Sequence, residues 1–345
     1  MTITAEVILD STSPAGIRLT TMRLRYPKFI HGEFMTHRVF SRNASSSRAI
    51  PTAKLLEEVR SNELRAAPVH WGKNQPGMGA DEELHSYDQM NESTYFYSKA
   101  WARDEWAKAA HAAANFAEVL WNDGKGAHKQ IVNRILEPFT HINVLVTATE
   151  WDNFFGLRLD RAAQPEMRAL AEAIWVAWQM SDSLPLEGGQ WHLPFVGYAL
   201  GPDTHDDLLV VPPEGGTIVK WSSLEIATKV SVARCARVSY QSFETGKCST
   251  VEEDIKLYDR LLGSRPIHAS PAEHQATPDN YKPNPAFHPI PKKDIDRAKG
   301  NAGYGWNNTL VWCHPNEHGN FVGWRQYRKT LEGEAVAPLP DEYNK

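Results

Sequence analysis

The chain has 345 residues, of which 41% are hydrophobic, and a formal net charge of -5. That size allows one large domain or two with a sizeable core. The mildly acidic balance excludes a general electrostatic pull on nucleic acid, so any anion site must be a local cluster and no nucleic-acid partner is expected.

No run of about 18 apolar residues occurs, so no membrane-spanning helix and no membrane partner are expected. The cysteines Cys235, Cys248 and Cys313 stand at no close spacing. They fit a reducing compartment rather than a disulfide scaffold or a zinc knuckle. The N-terminal residues lack the basic and apolar regions of a signal peptide, and the expected location is the cytoplasm.

Residues 5–10 and 17–25 read as strands. The second alternates apolar and polar with period two, the pattern of a sheet with one wet face. Pro27 punctuates it, and Phe29-Ile30 leads into a dense segment, residues 34–51, with three arginines, a histidine, an asparagine and four serines. No apolar period runs through this segment, which predicts a loop. Short hydroxyl and amide side chains favour turns. Arginine forks fit phosphate and carboxylate. The loop is expected to hold an anion, a phosphorylated ligand above all.

Residues 66–83 are rich in Gly and Pro and predict a long loop of the kind used as a lid or binding segment. From Ser93 to Leu120 the chain is helix-like, with Trp101, Ala102, Trp106, Ala109, Ala113, Phe116 and Leu120 near one stripe that reads as core. Residues 126–138 predict a helix ended by Pro138, carrying Lys129, Asn133 and Arg134. A β-branched run follows at 144–149. A helix from Pro165 to about Met180 has a core face of Met167, Leu170, Ala171, Ile174 and Trp178.

Residues 184–217 are Pro- and Gly-rich and mark a boundary or crossing loop. A capping box at Ser222 and Glu225 opens a helix to about Val232, and Thr250 with Glu253 caps another to Leu262. Residues 321–328 read as a strand.

The segment at 34–51 resembles the signature of the flavin-dependent thymidylate synthases: Arg-His-Arg, two free positions, Ser, one free, Asn-Glu, one free, Ser, one free, Arg-Tyr. His37, Arg38, Ser41, Asn43, Ser46 and Arg48 fall on it in register. Thr36, Ala44 and Ala49 depart from it. Glu33 stands where the family has a glutamine that reads the pyrimidine, and Ile17 where it has a flavin-side histidine.

A second family block is matched by Arg134, Asn153, Arg158, Gln164 and Glu166. Residues 233–240 resemble the family's Ala-Arg-Val-Ser-Tyr stretch. Residues 268–274 resemble its His…Ser-Pro-Phe-Glu-His, and residues 321–328 its strand ending in Arg-Gln-Trp. These last blocks open the usual family order but come last here. The chain therefore reads as a rearranged member: a signature-bearing core over 1–200, a linker or crossing loop at 201–217, and a C-terminal segment, 218–345, packed into the same fold.

The resemblance implies an α+β fold, a mixed or antiparallel sheet flanked by helices, with the site at a subunit interface of a homotetramer. It implies transfer of a one-carbon unit from 5,10-methylenetetrahydrofolate to C5 of a pyrimidine deoxynucleotide, dUMP to dTMP, with FAD as hydride donor and NADPH as its reductant. Arg158, Ser46 and Glu33 are the expected catalytic residues. Ser46, Ser47, Arg48, Arg134, Arg158 and Gln326 are expected to bind substrate, either Glu33 or Gln326 facing the base. His37, Arg38, Asn43, Asn153 and His274 are expected to hold the flavin, His274 reaching over another chain's ring.

A carboxylate only accepts where an amide also donates, so Glu33 keeps dCMP open as substrate. A C5 hydroxymethylase on dUMP or dCMP, or a nucleotide-binding homologue without catalysis, are the alternatives. No resident metal is expected: His268 and His274 lack cysteines or a helical His-Glu pair beside them.

Overall fold

Two N-terminal strands form the centre of a five-stranded sheet. β1 (Thr4–Thr12) pairs antiparallel with β2 (Arg18–Pro27), Thr12 opposite Arg18 and Thr4 opposite Arg25. The structure is a computed structural model that describes residues 3–77, 79–86, 98–198, 208–210, 219–221, 224–238, 249–283 and 310–335. After β2 come the short helix α1 (His31–Phe34) and β3 (Ser41–Ala44), then three helices: α2 (Thr52–Arg60), α3 (Lys99–Trp121) and α4 (Lys129–Leu136). β4 (His141–Ala148) returns between β3 and β2. α5 (Asp152–Arg158) and α6 (Pro165–Gln179) follow, and β5 (Leu184–Pro185) adds parallel to β1. The order is β3-β4-β2-β1-β5. The fold is therefore α+β, a mixed sheet with flanking helices, as expected.

Further on, β6 (Gly197–Tyr198), β7 (Leu208–Val210) and β8 (Val219–Trp221) make a small antiparallel sheet. α7 (Leu224–Arg237) and α8 (Val251–Leu262) lead to β9 (Ala276–Pro278), β10 (Tyr281–Pro283), β11 (Leu310–Trp312) and β12 (Trp324–Gln326). β9 pairs with β12, and β10 with β11.

One face of the large sheet buries Met22, Leu24, Val144 and Val146 against Met167, Leu170, Ala171 and Ile174 of α6. Their spacing of three and four residues aligns them on one helical stripe. Each of the Met, Leu, Ile and Val side chains so removed from water contributes roughly 1.5–3 kcal/mol. Phe34, Phe40, Trp151 and Phe154 extend this core beneath α1 and α5.

The other face is different. It carries a row of hydroxyls, on which the C-terminal segment sits. His192 joins Ser11 Oγ (2.8 Å) to Thr21 Oγ1 (2.8 Å). Thr21 meets Thr147 (2.7 Å), and Thr147 meets Nδ1 of His274 (2.8 Å). Ser41, opposite Thr147 in register, accepts from Gln326 (3.1 Å). Both imidazoles are fully buried, and burial pushes each down to about 3, so they are neutral. Beside them Asp254, completely buried on α8, accepts from Arg234 (3.1 Å) and Arg237 (2.8 Å) of α7.

Several expectations need correction. The segment at 34–51 is not loop throughout, since Ser41–Ala44 is an edge strand. Its apolar alternation is missing because its inward side chains, Ser41 and Asn43, bond polar partners instead. The polar face of β2 is wet only in part: the Arg23–Glu6 pair is exposed, whereas Arg25 is half-covered and paired with Glu58.

The buried stripe of α3 is Ala110, Ala114 and Ala117, with Phe116 72% exposed, because small side chains let α2 and α4 approach closely. α7 runs on to Arg237, nothing in Ala233–Arg237 being a helix breaker. Only Trp324–Gln326 of the 321–328 run is strand. Residues 93–97, the Ser222 capping position and most of 201–217 lie outside the described residues.

Candidate active site

The signature segment turns sharply after β2. Thr36 N and His37 N donate to Glu33 O (3.0 Å) and Phe34 O (3.3 Å), which presents Glu33, Thr36 and His37 towards the end of α5. There Arg158 meets all three. One Nη1 donates to the Glu33 carboxylate, Nε to His37 Nε2 (2.9 Å), and Nη2 approaches Thr36 Oγ1 (3.4 Å). The Arg158 side chain is 17% exposed and Glu33 29%, so the ion pair is half-sheltered with one open edge.

Desolvation, then the charges of Arg158 and Arg42, push His37 down to about 4. Arg42 lies beneath, donating to Met35 O (3.0 Å) and His37 O (3.1 Å) and thereby fixing the turn.

A second cluster forms beyond β3. Ser47 Oγ donates to Glu137 (2.6 Å), which also pairs with Lys28 (2.6 Å). Asn133 of α4 donates to Ser47 O (2.7 Å) and Ile50 O (3.0 Å), and Lys129 to Ala49 O (3.3 Å). Burial favours protonation of Glu137. The hydrogen bonds from Lys28 and Ser47, with the Lys28 and Arg134 charges, outweigh it and hold the carboxyl below its usual range. Ser46 is half-buried, while Arg48 and Arg134 are exposed. Neither arginine has an ion-pair partner among the described residues, so both remain open to an anion.

His31 lies within reach of one cation from each cluster. Burial first, and then the charges of Lys28 and Arg42, disfavour protonation of His31, whose Nδ1 meets Tyr26 Oη (2.9 Å).

The structure brings Glu33, His37 and Arg158 together, and brings Ser47 and Arg134 to Glu137, with Ser46 and Arg48 beside Ser47 in the chain; no hydrogen bond or ion pair among the described residues joins the two groups directly. Arg38 and Asn153 are exposed. Asn43 is buried and donates to Cys235 O (2.8 Å), tying β3 to α7. His274, expected to reach over another chain's flavin, is fully buried in its own chain; its Nε2 is a buried atom with no partner. Gln326 is 2% exposed, and its amide donates to Ser41 and to Glu273 O (3.1 Å), so Glu33 is the one of the pair with an open face.

Sequence reasoning assigned no role to Arg42, Lys28 or Asn133. The alternation of β3 could have found Arg42, which faces away from Ser41 and Asn43. Among the described residues no three metal-ligating side chains come together, and no described helix is long and apolar enough to cross a membrane.

Comparison with known proteins follows the same lines. No curated protein matches the sequence. Among solved structures, the chain is similar to the UMP/dUMP methylase PolB from Streptomyces cacaoi bound with 5-Br dUMP, at 17% identity over 51% of this chain and 89% of that one, with a TM-score of 0.36. It is similar also to the flavin dependent thymidylate synthase ThyX from Helicobacter pylori complexed with FAD and dUMP, at 17% identity over 46% and 67%, with a TM-score of 0.29. Residues 9–180, which hold both clusters, match the family model described as thymidylate synthase complementing protein. On that match the chain belongs to the thymidylate synthase complementing protein family.

Proposed function

We propose that the chain is a flavin-dependent enzyme that transfers a one-carbon unit to C5 of a pyrimidine deoxynucleotide, with dUMP to dTMP as its reaction. The observation that carries this is the convergence of Glu33, Thr36 and His37 on Arg158, within a matched segment whose other end leaves Arg48 and Arg134 unpaired. A phosphate dianion takes forked cations and hydroxyls, so Arg48, Arg134 and Ser46, with Ser47 beside them, hold it. Arg158 meets a carbonyl of the base, where an oriented donor stabilises the negative charge that develops as C5 attacks.

Arg38 and Asn153 are open to a ligand and fit the anionic and amide edges of FAD. The unpartnered Nε2 of His274 is a further buried atom that a bound group or a water would satisfy. When bound, FAD supplies the hydride. NADPH would be its reductant and 5,10-methylenetetrahydrofolate the source of the carbon unit. Because the phosphate and base clusters stand apart on one chain, a site between protomers of a homotetramer would pair Arg158 of one with Arg48 and Arg134 of another.

Glu33 favours a second reading. A carboxylate that only accepts suits the exocyclic amine of dCMP, and a hydroxymethyl product remains the alternative outcome. The test is to purify the protein, record its flavin spectrum and assay dUMP and dCMP side by side, with rescue of a thymidine auxotroph as the cellular check. A yellow protein that rescues growth is expected. A colourless protein that binds dUMP without turnover would replace this reading with a non-catalytic nucleotide binder.

A further inference from the structure

We propose that His37 is a positioning residue for Arg158, serving as a neutral acceptor that sets the plane of the guanidinium rather than as a ligand of the flavin. The inference rests on the reading of Arg158 as the group that meets the base. Arginine Nε only donates, so at 2.9 Å from it His37 Nε2 must be the accepting nitrogen, and the ring proton sits on Nδ1.

Everything around the ring fixes it there. Phe154 packs edge-on (4.9 Å, 81°) and Phe40 stacks (5.8 Å, 27°). The backbone is held by Phe34 O below and by Arg42 at the carbonyl. The residue as a whole is 7% exposed.

The charged groups that face it are Arg158 from α5 and Arg42 from β3, with Glu33 of α1 reaching it only through Arg158. Poor solvation, and then the two cations, keep the imidazole uncharged across the physiological range. Glu33 on Nη1 and His37 on Nε thus grip adjacent edges of one planar group, and the Nη2 hydrogen not directed at Thr36 Oγ1 (3.4 Å) is left for the substrate.

Misplacing such a group by an ångström can cost about 100-fold in rate, which is the scale on which His37 acts. The spectroscopic test is a long-range proton–nitrogen spectrum of the ligand-free wild-type protein. It should show His37 with a bare Nε2 from pH 8 down to about 5. A proton on Nε2, or an imidazolium forming near pH 6.5, would overturn the proposal.

The kinetic test compares His37→Gln, whose amide oxygen can stand at the Nε2 position, with His37→Leu, which fills the space but accepts nothing. His37→Gln should turn over dUMP close to wild type. His37→Leu, with an unchanged melting temperature, should lose about 10- to 100-fold in kcat with far less change in KM. Equal rates for the two variants, high or low, would refute it, and so would a loss confined to KM. Should the wild-type protein turn over no pyrimidine nucleotide, the reading of function fails while the spectrum still decides the tautomer. Should His37→Leu not fold, the spectrum and His37→Gln decide.

Discussion

At the scale of the residue, the unpaired cations carry the sharpest expectation. Arg48 and Arg134 are exposed while nearly every arginine around the other cluster is spoken for. A hydrogen bond to a charged partner contributes about 1.5–3 kcal/mol. Arg48→Ala and Arg134→Ala should therefore each weaken dUMP binding by about 10- to 100-fold in calorimetry, while deoxyuridine, which lacks the phosphate, binds all variants alike. Equal losses for both ligands would move these arginines out of the phosphate role.

Glu33→Gln restores the amide and releases Arg158 from its counter-ion. It should raise the ratio of dUMP to dCMP turnover by about tenfold, one hydrogen bond's worth. The residue types of this site were readable in the chain, because forked cations and hydroxyls at fixed spacing have few other uses. The pairing of Glu33 with Arg158 was not, since 125 positions separate them and only the return of β4 and α5 brings them together.

At the scale of the element, the hydroxyl row decides how the C-terminal segment is held. His192 and His274 are neutral in the folded chain, with pKa near 3, whereas an unfolded histidine titrates near about 6.5. Below that value the unfolded state binds more protons. The stability these residues protect is present in full above about pH 6.5 and is lost as the pH falls. The slope is about 1.4 kcal/mol per pH unit for each, or about 2 kcal/mol apiece at pH 5. Urea unfolding at pH 7 and pH 5 reads this directly, and His274→Gln should shrink the difference. A flat profile would mean that these rings already take up protons in the folded chain.

Between α7 and α8, Asp254→Asn leaves two arginines facing an uncharged buried partner and should cost about 3–5 kcal/mol in the same assay.

The elements themselves were legible wherever a period was clean: α6 by its core stripe, β1 and β2 by alternation, α8 by its capping box at Thr250 and Glu253. β3 was missed because a strand of four residues whose inward partners are a glutamine and a backbone carbonyl carries no apolar signal. The stripe of α3 was misplaced because bulky side chains suggested a core that alanines in fact make.

At the scale of the whole molecule, the separation of the two clusters bears on assembly. If each site draws Arg158 from one protomer and Arg48 from another, then Arg48→Ala and Arg158→Ala proteins, each impaired alone at low dUMP, should recover activity when unfolded together, mixed and refolded, because some sites then receive both native arginines. No recovery above the parents would place the full site within one chain.

The margins of the large sheet constrain how such copies could join. On one side it ends in four residues, one of them an arginine; on the other it ends in two, one of them a proline without an amide hydrogen. Short, charged or proline-bearing borders offer no template on which a foreign strand can lengthen the ladder. Lengthening of this sheet by a strand from another copy is therefore disfavoured at both of its ends.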